Sequence, residues 1–517
     1  MLNHDPIFKK LLELSTQHMS RQIVEMFKND LNRQQEFSLN LQNLYYDFSK
    51  NNITQEELNL LIDLAQDCNL KSKIEDMFSG KKINSTENRA VLHTALRSGK
   101  PLLIDGHNIQ DEISTVQSKI KKFCNDIHSG NITGFSGKKI DTIVNIGIGG
   151  SDLGIVLTCE ALQNFKIPKM KIHFMSSVDI DMAQQVLSQI DYETTMFIIV
   201  SKTFTTQETA LNAVFVKNWL EQLLQQNHIN NIEECVRKHF IAVSNNLQGC
   251  LNFGIHQDNI FLFWEFVGGR YSIWSAVGIA LALYIGYENY ALLLSGAKAM
   301  DEHFRSTDFR YNIPVIMALI GIWHTNICNY GSLLISPYNY CLRSLPSYLQ
   351  QLEMESNGKS IDLQGHKINY QTCPVIWGES ANNAQHAYYQ MLHQGTQTIP
   401  IDVIITKPTA QNITLFANAV AQSQAFMMGE ENDNLHKLFV GNKPTSTILL
   451  NEISPYNIGM LLALYEHKVF VQGVIWNINS FDQMGVELGK KLTNKILDKS
   501  YKNTFTDSST EYLLNQI

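Results

Sequence analysis

The chain has 517 residues, 44% of them hydrophobic and 17% charged, which is typical of a globular protein with two or more domains. Lys and Arg number 41 against 49 Asp and Glu, and the formal net charge is −8. Because the basic residues are scattered and outnumbered, the charge pattern argues against nucleic acid or an anionic membrane as a partner. An anionic substrate would have to be bound by a local site.

The cysteines and the apolar segments indicate where the protein resides. The eight cysteines are widely spaced and form no C-x-x-C pair, which predicts free thiols in a reducing compartment. The N-terminal sequence MLNHDPIFKK lacks the apolar core of a signal peptide. The apolar run at 276–287 is shorter than the roughly 20 residues that a membrane span needs, so we predict a buried helix there. These features predict a cytoplasmic protein without membrane segments.

The predicted elements divide the chain into a helical first part and two α/β regions. In the first hundred or so residues, apolar side chains recur at three- and four-residue spacing, as at 5–27 and 54–68, which predicts helices. From residue 140, short β-rich runs alternate with amphipathic helices, which predicts a parallel sheet covered on both faces. After a polar stretch at 301–312, a second region of this kind follows. Strands are predicted at 141–149, 171–178, 195–203, 238–244, 374–378, 399–406 and 468–476.

A glycine-rich turn at 144–154, VNIGIGGSDLG, follows the first predicted strand. Gly147 and Gly149 begin the G-x-G-x-x-G pattern of a dinucleotide site, but the third glycine position is Asp152, whose carboxylate would repel a pyrophosphate. The turn still exposes backbone N–H groups, so an anionic or sugar-like ligand can approach it closely. A tight strand-to-helix turn without a ligand explains these residues equally well.

A hydroxyl-rich loop ends the strand predicted at 195–203. Thr205 and Glu208 have the spacing of a capping box, which predicts a helix that begins near Thr205. The loop offers three hydroxyls, one ammonium and the open N–H groups of a helix N-terminus, a set that suits one phosphate. These side chains are Ser201, Lys202, Thr203 and Thr206. A simple helix cap accounts for only one or two hydroxyls, so we predict a phosphate site, although no G-x-x-x-x-G-K-[ST] is present.

Two later segments carry charged side chains next to apolar runs. Arg270 follows two glycines at the predicted start of the apolar helix, where an arginine needs an anionic partner, either a carboxylate or a ligand. Glu355 is predicted at the end of a helix, shortly before an Asn-Gly turn. The alternative for this stretch is a surface helix end, and for Glu353 we predict that surface position.

A helix is predicted from about Asn383 to Gly395, and it carries two histidines. His386 would lie in its first turn, where the helix dipole disfavours the imidazolium and lowers the pKa. His393, two turns later on the same face, is predicted to be a packed structural histidine. Near the C-terminus, Lys490 lies about two turns into a further helix, and its spacing alone indicates no more than a solvated side chain.

Taken together, these segments resemble the glucose-6-phosphate isomerase family over nearly the whole chain. The matching stretches are long and occur in the family's order. They are TENRAVLHTALR (86–97), VNIGIGGSDLG, SKTFTTQET (201–209), FVGGRYSIWSAVG (266–278), QQLEMESNGK (350–359), QHAYYQMLHQGT (385–396) and FDQMGVELGKKL (481–492). The resemblance implies two sugar-isomerase domains, each an α/β/α sandwich with a mostly parallel sheet. We expect N-terminal helices over 1–110, the two domains over 111–300 and 301–495, and a C-terminal arm over 496–517.

The same resemblance implies roles for the site residues. Gly150 and Ser151 of the glycine turn would lie beside a phosphosugar, the hydroxyl-rich loop would hold its phosphate, and Gln351 would contact sugar hydroxyls. The residues implied in catalysis are Arg270, Glu355, His386 and Lys490. The family works as a homodimer in which the helix of His386 reaches into the neighbouring subunit's site, so each site would combine two chains.

The implied reaction is the reversible isomerisation of glucose 6-phosphate and fructose 6-phosphate through ring opening and a cis-enediol. His386 with Lys490 suits ring opening. Glu355 suits proton transfer between C1 and C2, and Arg270 suits the charge of the enediolate. No metal or cofactor is required. Two alternatives stay open, a non-catalytic phosphosugar sensor on the same fold and an isomerase of another hexose phosphate such as mannose 6-phosphate.

Overall fold

A computed structural model describes residues 2–18, 20–229, 231–498 and 507–516. Its α-helices are α1 (Pro6–His18), α2 (Ile23–Asn29), α3 (Arg33–Glu36), α4 (Gln55–Asp67), α5 (Leu70–Phe78), α6 (Ala95–Ser98), α7 (Ile109–Ser129), α8 (Leu153–Ala161), α9 (Ile180–Ser188), α10 (Gln207–Gln226), α11 (Ile232–His239), α12 (Leu247–Phe253), α13 (Ile279–Ile285), α14 (Tyr287–Ser306), α15 (Ile313–Ile322), α16 (Leu345–Leu349), α17 (Ala381–Ala384), α18 (Tyr389–Gln394), α19 (Ile413–Met428), α20 (Pro455–Ile475), α21 (Glu487–Leu497) and α22 (Ser508–Leu514). Its strands are β1 (Ser38–Leu41), β2 (Leu44–Asp47), β3 (Leu103–Ile104), β4 (His107–Asn108), β5 (Thr142–Ile146), β6 (Lys171–Met175), β7 (Thr195–Val200), β8 (Phe240–Val243), β9 (Ile260–Phe261), β10 (Ser332–Pro337), β11 (Val375–Gly378), β12 (Ile401–Thr406) and β13 (Thr445–Leu450). Of the predicted C-terminal arm, residues 499–506 and 517 lie outside the described part of the chain.

The first sheet confirms the predicted parallel arrangement. Its strand order is β6-β5-β7-β8-β9, and every neighbouring pair is parallel. The central strands β5, β7 and β8 are buried along their whole length, as expected when helices cover both faces of a parallel sheet. The strands predicted in the first α/β region all contain one of the observed strands.

The second sheet combines segments from both parts of the chain, in the order β1-β2-β13-β12-β10-β11. Strands β10, β11, β12 and β13 are parallel to one another, whereas β2 runs antiparallel to β13. The hairpin of β1 and β2 lies in the part predicted to be helical, so that prediction is wrong for 38–47. In β2, buried Leu44 and Tyr46 alternate with half-buried neighbours, a pattern too short to stand out between helical runs. The α/β class with mostly parallel sheets is nevertheless confirmed.

The predicted strand at 468–476 is wrong, because these residues form the last part of the central helix α20. This helix is buried along nearly its whole length and most of its side chains are apolar, so its sequence lacks a clear helical period. It is long and apolar enough to cross a membrane, but 94% of its most apolar stretch is buried inside the fold. Glycine lets it approach α14 closely, since a Cβ on Gly459 would lie 2.0 Å from the carbonyl oxygen of Leu293. The buried helix predicted at 276–287 is confirmed as α13.

The polar stretch at 301–312, our expected boundary between domains, contains the end of α14 and a 3-10 turn. Asp301 in this stretch is buried and forms an ion pair of 2.7 Å with Arg97. One hydrophobic cluster contains side chains from both sheets, such as Ile143 and Ile404. The division into domains stays a prediction. The two sheets share one hydrophobic core, which fixes the loops of one sheet relative to those of the other.

Candidate active site

The glycine turn after β5 packs against the segment that carries Arg270. A Cβ on Gly150 would lie 2.2 Å from the carbonyl carbon of Gly269 and 2.7 Å from the backbone nitrogen of Arg270, so no side chain fits there. Gly149 has a φ of +59°, which favours glycine, and a Cβ there would lie 3.1 Å from Nε2 of Gln351. Ser151 follows in a half-buried position. The turn therefore brings the end of β5 against Arg270 and Gln351.

Arg270 is the most densely bonded side chain of this region. It lies in a 3-10 turn and is buried, and α13 begins only at Ile279, so the predicted position at the start of the apolar helix is wrong. The predicted need for an anionic partner is met by Glu355, whose Oε2 lies 3.4 Å from Nη1 of Arg270. The guanidinium also donates from Nε to Ser356 Oγ (2.6 Å), from Nη1 to Gln483 Oε1 (3.0 Å), and from Nη2 to the carbonyl oxygens of Ser480 (2.7 Å) and Asp482 (3.0 Å). Each of its N–H groups thus has a protein acceptor, which fixes its position.

Glu355 and Gln351 lie on a π-helical segment, Gln350–Glu355, that continues from α16. Short π-helical segments are rare and occur frequently at functional sites. The side chain of Glu355 is 23% exposed. Within the described residues only its Oε2 has a hydrogen-bond donor, namely Arg270. Its second carboxylate oxygen has no protein donor among the described residues, and the side chain is partly exposed to solvent.

Glu353, on the same segment, corrects one prediction. We expect a surface position for it, but its side chain is 1% exposed and forms a buried ion pair with Lys468 of α20. The Nζ of Lys468 lies 2.7 Å and 2.6 Å from the two carboxylate oxygens. The partner lies 115 residues downstream in the chain, so no local sequence pattern could identify it.

The hydroxyl-rich loop between β7 and α10 differs in detail from its prediction. Thr206 is the N-cap residue of α10, and no side chain caps the helix, so the predicted capping box of Thr205 and Glu208 is wrong. Instead, Thr205 Oγ1 lies 2.7 Å from Thr203 Oγ1, and Ser201 Oγ donates to Thr206 Oγ1 at 3.1 Å. The first N–H groups of α10 are left to a ligand or to solvent.

Two further features distinguish this loop from an ordinary helix cap. Phe204 has a φ of +56°, a left-handed conformation that is uncommon for an aromatic residue and typical of functional loops. The Nζ of Lys202 donates to the carbonyl oxygens of Glu265 (3.1 Å) and Val267 (3.3 Å). Burial lowers the pKa of Lys202. The Lys202 side chain therefore joins the hydroxyl-rich loop to the segment that leads to Arg270.

His386 and the predicted helix around it require a correction. The single predicted helix from Asn383 to Gly395 is two short helices, α17 and α18, and His386 lies exposed between them. It is therefore not in the first turn of a helix, and the predicted influence of a helix dipole on it is wrong. His393 is packed as predicted, since its ring stacks on Phe426 with centroids 4.2 Å apart, and burial lowers its pKa.

Lys490 lies on α21, a helix without a buried side chain. Its Nζ pairs with Glu487 Oε1 at 3.0 Å, and both side chains are about half exposed. In the described part of the chain, neither His386 nor Lys490 forms a hydrogen bond or an ion pair with Glu355 or Arg270. The structure of one chain thus brings together Gly150, Gln351, Arg270 and Glu355, and it leaves His386 and Lys490 on its surface.

Several residues of this region were not identified from the sequence. Ser356 is fully buried and also lies 3.0 Å from the hydroxyl of Tyr271. Lys359 donates to the carbonyl oxygens of Glu355 (2.8 Å) and Asp482 (3.0 Å). Both positions stand in matching stretches, but only contacts across the fold reveal their partners. Over the described residues, no group of three His, Cys, Asp or Glu side chains could hold a metal ion.

The chain is similar to known proteins over nearly its whole length. A profile of the family "Phosphoglucose isomerase" matches residues 47–514. A glucose-6-phosphate isomerase of Helicobacter pylori (strain P12) is 45% identical and aligns with 99% of this chain and 98% of its own length. One from Campylobacter jejuni subsp. doylei is 47% identical, with coverages of 95% and 93%. The crystal structure of a glucose-6-phosphate isomerase from Chlamydia trachomatis superposes with a TM-score of 0.88 at 32% identity, covering 99% and 98% of the two chains.

Proposed function

We propose that Glu355 is the catalytic base of this chain, which belongs to the phosphoglucose isomerase family. The chain interconverts glucose 6-phosphate and fructose 6-phosphate. The observation that carries the proposal is the contact of Glu355 with Arg270. One carboxylate oxygen is held at 3.4 Å from a buried guanidinium, while the other has no protein donor among the described residues and the side chain is 23% exposed. A carboxylate held in this way can remove a proton and return it.

The reaction moves one hydrogen between C1 and C2 of the open-chain sugar. Glu355 takes the proton from one carbon and delivers it to the next, which a single carboxylate can do from one side. The enediolate that forms between these steps is negative, and the Arg270 guanidinium next to Glu355 stabilises it. The contact with Glu355 is the longest of Arg270's hydrogen bonds. It is therefore the bond that Arg270 can most easily exchange for a bond to the enediolate.

Substrate binding is assigned to the other residues of the region. The phosphate binds the hydroxyl-rich loop, and the residues that contact it are Ser201, Lys202, Thr203 and Thr206. Gly150 and Ser151 lie beside the sugar, and Gln351 bonds its hydroxyls. Support comes from the close contact of Gly149 with Gln351 and from the uncapped N-terminus of α10. Phosphate binding away from the reacting carbons supplies orientation and binding energy.

We assign ring opening to His386 and Lys490. We also assign the protein as a homodimer in which each active site combines residues from both chains. His386 is exposed and its side chain has no hydrogen-bond partner in the described residues, so it is free to serve a neighbouring chain. The helix α21 exposes Leu488 by 66% and Leu492 by 49%. Such apolar side chains on a helix without a buried face are typical of a surface that another protein covers. A second copy of the chain is the partner that two-fold symmetry provides.

The cytoplasm is the location that we assign to the enzyme. All eight cysteines are free thiols, four of them buried and four half-buried. Thiols of this kind persist in a reducing compartment, whereas secreted proteins more often pair them as disulfides.

The test of Glu355 uses hydrogen exchange as well as turnover. With fructose 6-phosphate in D₂O, the purified protein is expected to form glucose 6-phosphate that carries deuterium at C2, and little mannose 6-phosphate. Glu355→Gln keeps the size of the side chain but removes the base, so it should bind fructose 6-phosphate in calorimetry without exchange or turnover. Exchange at the wild-type rate in this variant would disprove the role of Glu355, and mannose 6-phosphate as the main product would change the substrate assignment.

A further inference from the structure

The ion pair of Glu353 with Lys468 is almost completely buried, a position in which an ion pair gives little or no gain in the free energy of unfolding. The two side chains are 1% and 2% exposed, and the Nζ of Lys468 lies within 2.7 Å of both carboxylate oxygens. Moving two charges out of water is costly, and apolar residues of similar volume are often at least as stable in such a place. The pair therefore needs a reason other than stability.

The position of Glu353 supplies that reason. It lies two residues after Gln351 and two before Glu355, in the middle of the π-helical segment Gln350–Glu355. A π-helix is wider than an α-helix and is found mostly as a single turn, so such a segment relies on tertiary contacts to keep its register. A slip to α-helical geometry would rotate Gln351 and Glu355 relative to one another and to Arg270.

The helix on the other side of the pair is rigidly held. Lys468 belongs to α20, whose residues are buried along nearly its whole length. Asn357, just beyond the π-helical segment, donates to the carbonyl oxygen of Val469 at 2.9 Å, so α20 contacts the segment in its middle and at its end. Burial raises the pKa of the Asp402 carboxyl on β12 to about 6, and the charge of the nearby Lys468 opposes this rise.

We propose that Glu353 and Lys468 are positioning residues of the isomerase, and that their ion pair holds the π-helical segment in the register that directs Glu355 toward Arg270. The ion pair acts through Glu355 and does not touch the substrate. The inference rests on the role proposed for Glu355. It predicts that loss of the ion pair lowers turnover while the fold and phosphate binding remain.

The experiment replaces both charges by apolar side chains. The double variant Glu353→Leu/Lys468→Met removes both charges of the pair together. The nearby Asp402 keeps its hydrogen bond from the Tyr465 hydroxyl (3.3 Å) and can take up a proton, since burial raises its pKa to about 6, so the melting temperature should stay within a few degrees of the wild-type value. Its kcat should fall on the order of 10²-fold, because a misplacement of about 1 Å at a reacting group has that effect. Its affinity for inorganic phosphate, measured by calorimetry, should change less than about threefold, because the hydroxyl-rich loop lies on the other sheet. A role in stability alone would lower the melting temperature and leave kcat of the folded enzyme unchanged.

A second variant and a control make the result decisive. Glu353→Leu alone leaves Asp402 as a partner for Lys468, and it should show the same loss of kcat. Asp402→Asn is the matched control, since it alters a carboxyl near Lys468 that is not on the π-helical segment, and its kcat should stay within about twofold. Wild-type kcat in either folded variant would overturn the proposal. Failure of both variants to fold would also overturn it, because the pair would then serve folding.

A parallel assay of Glu355→Gln separates this inference from the proposed function. An active Glu355→Gln enzyme would disprove the role of Glu355 itself. An inactive Glu355→Gln enzyme together with a fully active double variant would disprove only the positioning role of the ion pair.

Discussion

The candidate active site has two halves that differ in how the chain holds them. The inner half comprises Arg270, Gln351 and Glu355, and it is fixed by buried hydrogen bonds and by a close backbone contact at Gly150. The outer half comprises His386 and Lys490, and both side chains are exposed, His386 between the short helices α17 and α18 and Lys490 on α21. The inner half is preorganised within one chain, as electrostatic stabilisation requires. For the outer half to act as proposed, substrate or a second chain must bring it to the inner half.

The largest expected effect is in the inner half. Glu355→Gln should lower kcat by about 10²–10⁴-fold, the usual contribution of a general base, with little change in melting temperature. The matched control is Glu234→Gln, which breaks an Arg–Glu ion pair of 2.8 Å on the surface of α11 and should leave kcat within about twofold. Steady-state kinetics of both variants check this. Equal effects in the two would mean that the inner half has no special role.

The outer half can be tested by mixing two inactive variants. If each site combines Glu355 of one chain with His386 of its partner, a heterodimer of Glu355→Gln and His386→Ala has both lesions in one site and none in the other. Random pairing makes half the dimers mixed, so co-expression should restore roughly a quarter of wild-type activity. Activity is measured on the co-expressed mixture and on heterodimers isolated by two affinity tags, which should reach about half of the wild-type activity because one of their two sites is intact. Activity no higher than that of either homodimer would place His386 and Glu355 of the same chain in one site.

The phosphate loop should affect binding more than turnover. Thr203→Ala with Thr206→Ala should weaken substrate binding by about 1.5–3 kcal/mol for each hydrogen bond to the charged phosphate. Thr205→Ala is the control, because it removes a hydroxyl of the same loop that is not assigned to phosphate. Calorimetry with fructose 6-phosphate and KM values compare the variants. An unchanged KM in the double variant would mean that these hydroxyls only organise the start of α10.

The smallest effect concerns the pH dependence of stability near the glycine turn. Asp152 is buried, and burial raises its pKa to about 6, above the value of about 4 in an unfolded chain. The folded state then holds the proton more tightly, so stability from this group is present below about pH 4 and lost as pH rises through about 6. Relative to wild type, Asp152→Asn should gain roughly 2–3 kcal/mol of unfolding free energy between pH 4 and pH 7.

Denaturant unfolding at several pH values measures this difference. The control is Asp63→Asn on the exposed face of α4, which should give a curve parallel to that of wild type. A parallel curve for Asp152→Asn as well would mean that solvent reaches its carboxylate in the folded protein.

Local sequence patterns predict those helices and strands whose apolar residues recur with a regular spacing or whose ends are marked by turn-forming residues. The strands of the first sheet were recognised because β-branched runs end in glycine or hydroxyl-rich turns, as at Gly147 and Ser201. The same reasoning failed for 468–476, because a fully buried helix and a buried strand have equally apolar sequences. It also failed for the hairpin at 38–47, which pairs with β13 from the far end of the chain.

The sequence by itself determined the α/β class, the hydroxyl-rich loop and the residue types that the chemistry needs, because these depend on neighbours in the chain. Only the tertiary structure decided that Glu353 is buried with Lys468, that Arg270 is held by Ser356 and the carbonyl of Ser480, and that His386 lies between two helices. Each of these facts depends on a partner brought close by folding or on a local break in a helix. The free energy of a buried charge is set by the groups around it in space, and the order of residues does not contain that information locally.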